Sequence, residues 1–409
     1  MAGLLEGIHA VEFTAILQGP IAGLILAQLG AEVIRIEDPI GRDRNRFNPS
    51  GMRTVQPQDQ IPISEFTNRN KRGMTIDLSK EKGREIAYRL ISKSDVFLSN
   101  YIPKSLKELG LDYETLSKIN PKLVYAASSS YGKKGPDSNR RSFDRLAIAR
   151  SGLMMASGEP DAPPVEIPGF IGDCLAGTFL AFGIVSGLLA RDRLGIGQEI
   201  STSLLGPLVW AQMVHVTQYL MEGKLAEQPM IRQSRTNVPN PLSNNYRCKD
   251  GRWLKLTASQ SDNTWHEFCH LLGIESLEKD PRFKNARERQ DNNEELIKLL
   301  DNAFSTKTRD EWLAHFKAQK ATGFLYVAIK EVSELPNDPQ VLANNYVVED
   351  EHPTLGQIRM VQFPIEFSKT AVVPGGKPAP QRGEHTEDIL LELGYSQGEI
   401  AELRNQIVI

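Results

Sequence analysis

The alternation of apolar and polar positions at the start of the chain predicts a strand, a helix and a second strand. Residues 9–14 form an apolar run, Gln18-Gly19-Pro20 predicts a turn, residues 21–29 have helical spacing, and residues 32–37 form another apolar run. Two strands joined by a helix through short connections are typical of a parallel sheet. The alternation continues, with strands predicted at 75–78, 95–99 and 123–128 and helices at 82–92 and 113–119. We therefore predict an α/β first domain with a mostly parallel sheet.

The pattern changes near residue 203. A strand is predicted at 199–203 and a long apolar helix at 204–221, whereas residues 224–240 mix charge, Pro and Asn without regular spacing, as in a linker. The chain beyond predicts a hairpin at 246–258 that turns at Lys249-Asp250-Gly251. Charged helices are then predicted at 264–272, 293–303 and 309–320. A Pro/Asp/Gly-rich stretch at 334–356, a strand-like segment at 357–367 and helices after Glu384 follow and would return to the first domain.

The length of the chain indicates more than one domain. Its 409 residues exceed the size at which a single core usually stops growing. We expect a large α/β domain formed by residues 1–203 and 330–409, a linker helix and linker at 204–240, and a smaller α+β domain at 241–329. The large domain would thus be built from both chain ends.

The stretch Ile171-Gly172-Asp173-Cys174-Leu175-Ala176-Gly177 contains the strongest candidate for chemistry. Asp173 begins an apolar helix in which no side chain from Leu175 to Ala190 is charged. The first backbone N–H groups of a helix lack intrahelical partners and favour negative charge. Asp173 is therefore either an N-cap, which is the commoner role, or a reactive carboxylate. The apolar run is shorter than the ~20 residues that span a bilayer, so we expect a buried core helix.

Composition narrows the class of protein. The chain is 40% hydrophobic and 24% charged with a net charge of −3, which does not indicate a nucleic-acid-binding protein. The three cysteines, Cys174, Cys248 and Cys269, are odd in number and widely spaced, as expected in a reducing compartment. The first residues show no basic region followed by an apolar core, so no secretory signal is indicated. We expect a cytoplasmic protein with neither a nucleic-acid nor a membrane partner.

Two motifs suggest other chemistry. The segment His266-Glu267-Phe268-Cys269-His270 matches the H-E-x-x-H pattern of zinc hydrolases. The other histidines show no third-ligand pattern, so we expect a charged helix with one buried stripe and no metal site. The turn after the first strand lacks G-x-G-x-x-G, and Pro20 has no N–H for a pyrophosphate, which argues against a dinucleotide site.

Positive charge gathers in the first third of the chain. In a nearly neutral protein such a cluster indicates a polyphosphate ligand, because guanidinium groups pair well with phosphate. The cluster consists of Arg42, Arg44, Arg46, Arg53, Arg69, Lys71, Arg72, Lys104, Lys107, Arg140 and Arg141.

Short motifs also follow one another in a specific order. They are Gly19-Pro20, Leu29-Gly30-Ala31-Glu32-Val33-Ile34-Arg35-Ile36-Glu37, Asn68-Arg69-Asn70-Lys71-Arg72, Asn100-Tyr101, Asn120-Pro121-Lys122-Leu123-Val124, Tyr131-Gly132, Phe143-Asp144, Gly172-Asp173, Gly195-Ile196-Gly197-Gln198 and Gly383-Glu384-His385-Thr386. Together they resemble the CaiB/BaiF family, the family III CoA-transferases, nearly from end to end. An ordered series of this kind is far more specific than any one motif.

The resemblance implies an enzyme in which Asp173 is the nucleophile. In that family the aspartate attacks a donor acyl-CoA, which gives a mixed anhydride and CoA thiolate, and CoA then passes to a second carboxylic acid. The CoA thioester is a substrate, and neither a tightly bound cofactor nor a metal is implied. Phe143 and Asp144 would lie close to the acyl group. The residues that would contact CoA are Leu17, Gln18, Ile76, Leu78, Asn100, Tyr101, Lys104 and Arg141.

The resemblance also implies a Rossmann-like large domain and an interlocked-ring dimer, formed by two copies of the chain or with a paralogous subunit. Three functions stay open: a CoA-transferase, a 2-methylacyl-CoA racemase, and a non-catalytic subunit that binds CoA thioesters. Phe143 stands where the racemase branch carries a histidine, so a 1,1-proton transfer would lose one of its two bases. We therefore favour the transferase.

The acid is expected to be hydrophobic or aryl. The compact segment at 239–246 replaces the glycine-rich loop of formyl-CoA transferases, which disfavours formate and oxalate. Other segments are similar to the branch that acts on aryl and branched acids, such as phenyllactate/cinnamate transferases. The apolar side chains of Phe143, Leu153, Met154 and Met155 suit such an acyl group.

Overall fold

The structure is a computed structural model that describes residues 3–40, 62–223, 232–372 and 376–409. The chain divides into two compact units. The large unit is formed by Met1–Met154, Glu166–Lys224 and Pro339–Ile409, and the small unit by Met155–Val165 and Leu225–Asp338. The large unit thus takes segments from both chain ends.

A six-stranded sheet forms the centre of the large unit. Its strands are β1 (His9–Phe13), β2 (Glu32–Glu37), β3 (Arg72–Thr75), β4 (Val96–Ser99), β5 (Val124–Ser129) and β6 (Gln198–Ser203). Their order is β3-β2-β1-β4-β5-β6, and each neighbouring pair is parallel. This is the order of a doubly wound dinucleotide-binding fold. The predicted α/β class with a parallel sheet is confirmed.

One strand is displaced from its predicted position. The sequence predicts a strand at 75–78, whereas β3 spans Arg72–Thr75. The cause lies in the register, because residues 72–75 pair with residues 34–37 of β2, and β2 ends at Glu37. The Ile76 N–H makes the last bond to β2, at the Glu37 carbonyl oxygen, and the Asp77 N–H already donates to Val408 instead.

Helices connect the strands of the large unit. They are α1 (Gln18–Gln28), α2 (Pro62–Asn68), α3 (Glu81–Ser92), α4 (Pro103–Glu108), α5 (Tyr113–Ile119), α6 (Asp144–Ser151), α7 (Leu153–Ala156), α8 (Ile171–Leu194), α9 (Leu205–Ala211) and α10 (Met213–Glu222). The predicted turn at Gln18-Gly19-Pro20 is the first turn of α1, where a missing proline N–H leaves no bond unmade. The single helix predicted at 204–221 is interrupted at Gln212, which separates α9 from α10.

The small unit combines an antiparallel sheet with four α-helices in its described residues. These elements are β7 (Asn245–Arg247), β8 (Trp253–Ala258), α11 (Asp262–Leu272), α12 (Ala286–Asp291), α13 (Asn293–Phe304), α14 (Arg309–Ala318) and β9 (Phe324–Ile329). β8 pairs with β7 and with β9, so the predicted hairpin is confirmed. Buried aromatic rings, among them Trp265, Phe304 and Phe316, fill its core.

The last part of the chain returns to the large unit. It forms α15 (Pro339–Ala343), β10 (Val347–His352), β11 (Gly356–Val361), α16 (Thr386–Glu392) and α17 (Gln397–Asn405). The sequence pattern assigns no strand to the Pro/Asp/Gly-rich stretch at 334–356, whereas β10 lies within it and pairs along its whole length with β11. The sequence of β10 is mostly polar, so its local pattern does not predict a strand. Pairing with β11 stabilises it.

α8 packs against the central sheet. Leu180, Ile184 and Leu188 lie in one buried cluster with Val96 of β4 and Val124 of β5. Among the described helices, α8 has the length and apolar composition that would allow it to cross a bilayer, criteria that core helices also meet. The packing of its buried face agrees with the core helix expected from the sequence.

Candidate active site

The candidate site lies where the strand order changes direction. β1 and β4 are neighbours in the sheet, but the chain leaves β1 on one side and returns to β4 on the other. At such a point the loops after the strands diverge and leave a crevice at the carboxyl edge. Asn100, after β4, donates to the carbonyl oxygen of Ala15 at 2.7 Å and accepts from the Ala15 N–H at 2.7 Å. This pair of bonds ties the two loops together.

A glycine lets α8 approach the beginning of α1. A Cβ atom at Gly177 would lie 2.6 Å from the carbonyl oxygen of Gln18 and 2.8 Å from Cβ of Ile21. The approach brings the Asp173 carboxylate, one turn earlier on α8, to the Gln18 N–H, which donates to it. The Gln18 side chain donates to the hydroxyl of Ser128 at the end of β5. Ser128 was missed by sequence reasoning, because no local pattern marks a partner 110 residues away.

A second carboxylate meets the start of α8. Asp144 is the first residue of α6, and its Oδ1 accepts from the Asp173 N–H at 2.9 Å. The Gly172 N–H also donates to Asp144. A Cβ atom at Gly172 would lie 2.7 Å from Oδ1 of Asp144, so glycine is required before Asp173.

Asp173 is not the N-cap of α8, which is one of the two roles expected for it from the sequence. α8 begins at Ile171 and its N-cap is Phe170, so Asp173 lies in the first turn and is not the N-cap. The Gly172 and Asp173 N–H groups donate to Asp144, and the Cys174 N–H donates to the carbonyl oxygen of Phe170. These three groups are therefore engaged within the protein.

Burial and like charge set the ionisation of the two carboxyl groups. Asp173 is 6% exposed, and its burial, together with the charge of Asp144, raises its pKa to about 7 against the opposing Gln18 N–H. Burial also raises the pKa of Asp144, but the Asp173 and Gly172 N–H groups and Arg145 oppose that rise. Asp173 keeps its proton until near-neutral pH and is then a poorly solvated carboxylate, as a nucleophile requires.

Comparison with known proteins assigns the family. The sequence signature described as CoA-transferase family III matches residues 5–386. The chain belongs to this family. The resemblance inferred from the sequence is confirmed, and the protein is an enzyme, a family III CoA-transferase.

Relatives of this transferase act on different acids. It is 32% identical to cinnamoyl-CoA:phenyllactate CoA-transferase of Clostridium sporogenes over 98% of this chain and 96% of that protein. Identity is 30% to (R)-2-hydroxy-4-methylpentanoate CoA-transferase of Clostridioides difficile, over 99% of both chains, and 33% to succinyl-CoA:glutarate CoA-transferase of Mus musculus, over 98% and 88%. The crystal structure of a CaiB/BaiF family protein from Brucella suis matches with a TM-score of 0.85 and 30% identity, covering 96% of this chain and 100% of that one.

The structure brings together only part of the predicted site of the transferase. Gln18, Asp144 and Asp173 meet, and Phe143, 53% exposed, precedes Asp144. The other predicted CoA contacts are either packed inside or open to solvent. Leu17, Ile76 and Leu78 are buried, Tyr101 stacks on Phe13 with ring centroids 4.3 Å apart, Asn100 holds Ala15, and Lys104 and Arg141 are exposed. Ligand contacts from Ile76 and Leu78, whose side chains lie in the core, would come from their backbone. The CoA contacts stay predictions.

Five members of the basic cluster have partners among the described residues. Two pair at the surface, Lys104 with Glu108 and Arg140 with Asp137, and three lie deeper in the protein. Lys71 lies 2.7 Å from Glu12 in a fully buried ion pair, and burial lowers the pKa of Lys71. Arg69 donates to the carbonyl oxygen of Val361 at 2.7 Å. Arg72 pairs with Glu32 and Glu392. These three side chains are held by groups of the protein itself, and their part in polyphosphate binding stays a prediction. Arg42, Arg44, Arg46 and Arg53 lie outside the described residues, and Lys104, Lys107, Arg140 and Arg141 are exposed.

The H-E-x-x-H segment has a structural explanation. Glu267 accepts from the backbone N–H groups of Thr322 at 2.9 Å and Gly323 at 3.2 Å. His266 pairs with Glu278 and His270 with Glu275. Within the described ranges, no three His, Cys, Asp or Glu side chains are grouped so that they could hold a metal ion.

Proposed function

We propose that the enzyme moves CoA from an acyl-CoA donor to a hydrophobic or aryl carboxylic acid through a mixed anhydride on Asp173. The observation that carries this proposal is the Asp173 carboxyl group, which is buried beside the Gln18 N–H on a residue whose own backbone N–H donates to Asp144. Burial and the charge of Asp144 raise its pKa to about 7. A carboxylate with little solvation and a fixed direction is suited to covalent catalysis.

The reaction is balanced without ATP or water. A carboxylate oxygen of Asp173 attacks the thioester carbonyl carbon, the C–S bond breaks, and CoA leaves as the thiolate. The thiolate then attacks the Asp173 carbonyl carbon of the anhydride, which releases the donor acid and leaves an aspartyl thioester. The acceptor carboxylate attacks the aspartyl thioester, which frees the CoA thiolate and gives a second mixed anhydride. The thiolate then attacks the acyl carbon of the acceptor, which forms the new acyl-CoA and regenerates the Asp173 carboxylate. The Gln18 N–H is placed to stabilise negative charge at the aspartyl oxygen.

The choice of a hydrophobic acid rests on the surface beside the carboxylates. Phe143 and Leu146, on either side of Asp144, are 53% and 55% exposed and available to an apolar acyl group. Two of the relatives are named for acids of this kind, phenyllactate in one case and a branched 2-hydroxy acid in the other. From the sequence, Met154 is also expected to suit the acyl group. Its side chain is buried in the core and offers no apolar surface to a substrate.

A matrix of donors and acceptors tests the substrate class. Cinnamoyl-CoA, a branched 2-hydroxyacyl-CoA and succinyl-CoA are each offered with phenyllactate, 2-hydroxy-4-methylpentanoate and glutarate, and the acyl-CoA products are read by mass spectrometry. We expect the highest kcat/KM with aryl or branched acids. A higher kcat/KM for glutarate would overturn the hydrophobic assignment. Exchange of the α-hydrogen of a 2-methylacyl-CoA in heavy water, without transfer to any acid, would establish a racemase instead.

The covalent step has its own test. An acceptor acid labelled with heavy oxygen in its carboxylate should leave one heavy atom on Asp173 after turnover, detectable in the peptide that contains it. Asp173→Asn, verified free of deamidation, should lose transfer by orders of magnitude in kcat while CoA binding persists. Transfer by the wild-type enzyme with no label on Asp173 would refute the anhydride.

We further propose that the transferase is an interlocked-ring homodimer in the cytoplasm. α10 has no buried residue, and its Val214, Leu220 and Met221 are 65%, 76% and 81% exposed. Apolar patches of this kind mark interfaces between proteins. Cys174, Cys248 and Cys269 are free thiols, as in a reducing compartment.

A further inference from the structure

The first turn of α8 is capped from another helix. A helix N-cap usually supplies a side-chain oxygen to the N–H groups of the second or third helical residue. In α8 the N-cap is Phe170, with φ 54° and no side-chain oxygen, and the second and third residues are Gly172 and Asp173. Both of their N–H groups donate to Asp144 of α6 instead.

We propose that Asp144 is a positioning residue: its carboxylate replaces the missing N-cap of α8 and so fixes the direction in which Asp173 presents its carboxylate to the thioester. The proposal deepens the proposed function and rests on Asp173 as the nucleophile. Asp144 is suited to this role because it is 5% exposed and is itself the first residue of α6. Its charge is therefore stabilised by the N-termini of two helices.

The charge of Asp144 has a second effect on Asp173. The helices α1 and α9, which also pack against α8, carry no ionisable side chain. On the sheet, the Tyr125 hydroxyl donates to the carbonyl oxygen of Leu111, and Glu199 pairs with Lys133. Within the part of the chain that the structure describes, Arg145 on α6 and Cys174 on α8 also interact electrostatically with the two carboxylates. Asp144 is the charged neighbour that raises the pKa of Asp173.

Two substitutions separate the cap from the charge. Asp144→Asn keeps an oxygen that can accept from the Asp173 N–H but removes the negative charge. Asp144→Ala removes both and leaves two buried N–H groups without an acceptor. Asp192→Asn is a matched control, because it removes a carboxylate that is 69% exposed at the far end of the same helix.

The experiment measures kcat, KM and the pH profile of kcat/KM for the full-length transferase and the three variants. For Asp144→Asn we expect the acid limb to move to lower pH by roughly one unit or more, with kcat close to wild type at high pH, because a like charge has been removed. For Asp144→Ala we expect kcat to fall roughly ten- to a hundredfold, with little change in the KM for acyl-CoA, because the nucleophile is misdirected. The control should match the wild type.

The outcomes distinguish this inference from the proposed function. Heavy-oxygen labelling of Asp173 in the wild-type enzyme tests the anhydride independently of Asp144. If Asp173 is labelled but Asp144→Asn leaves the pH profile unmoved, the proposal is overturned. Equal loss of kcat in the folded Asn and Ala variants would also overturn it, because that result would make the Asp144 carboxylate a participant in the chemistry. If Asp144→Ala does not fold, the Asn variant alone decides.

Discussion

Replacing the nucleophile should make the protein more stable at neutral and alkaline pH. Asp173 must ionise in a buried place beside another carboxylate, and this lifts its pKa from 3.8 to about 7. An asparagine at the same position keeps an oxygen that can accept from the Gln18 N–H but never carries the charge. We therefore expect Asp173→Asn to be inactive and yet harder to unfold than the wild type.

The magnitude follows from the pKa difference. Because the pKa is higher in the folded state than in the unfolded chain, the stability linked to the bound proton is fully present below the unfolded value of 3.8 and is lost as pH rises through about 7. Each unit of difference corresponds to about 1.4 kcal/mol. The free energy of unfolding of Asp173→Asn should exceed that of the wild type by at most about 4 kcal/mol above pH ~8, and the gain should vanish near pH ~4.

Urea unfolding across this pH range, for wild type, Asp173→Asn and Asp192→Asn, measures the effect. The exposed control at the end of α8 reports any general consequence of removing one negative charge from that helix. The expected signature is a stability difference that grows with pH for Asp173→Asn alone. An Asn variant that is equally or less stable than the wild type at alkaline pH would show that Asp173 is not destabilised by ionisation, and the reasoning about its pKa would fail.

Three further predictions concern the close contact at Gly172, the buried ion pair of Lys71 and Glu12, and the dimer. Gly172→Ala should lower kcat and destabilise the fold by roughly 1–3 kcal/mol, because its Cβ would meet Asp144 at 2.7 Å; Gly206→Ala, where the nearest atom is 3.3 Å away, is the control for kinetics and thermal melting. Lys71→Met should lower the free energy of unfolding by roughly 3–5 kcal/mol, because Glu12 would stay buried without its partner. Adding Glu12→Gln should recover part of that loss, and no recovery in the double variant would argue against the ion pair. Tagged and untagged subunits should not mix under native conditions within hours if the rings interlock, whereas an ordinary dimer exchanges by dissociation; native mass spectrometry decides.

Local pattern was sufficient for most of the fold. β1, β2, α5 and the hairpin of β7 and β8 lie at or within a residue or two of their predicted places, because short apolar runs and turn residues act over a few positions. The failures share a cause. β10 is polar and is stabilised by β11, and the place of β3 depends on where β2 ends. In each case the deciding partner is a strand whose register the local pattern does not contain.

The same division applies to the site. The sequence by itself determined the family and singled out Asp173, because an ordered series of motifs and a carboxylate before a long uncharged run can be read from the order of the residues. Only the tertiary structure decided that Asp144 caps α8, that Ser128 holds Gln18, and that Lys71 pairs with Glu12. Hydrogen bonds and ion pairs between distant residues depend on which elements the packed core brings together, and a buried charge takes its role from the partner that it meets there.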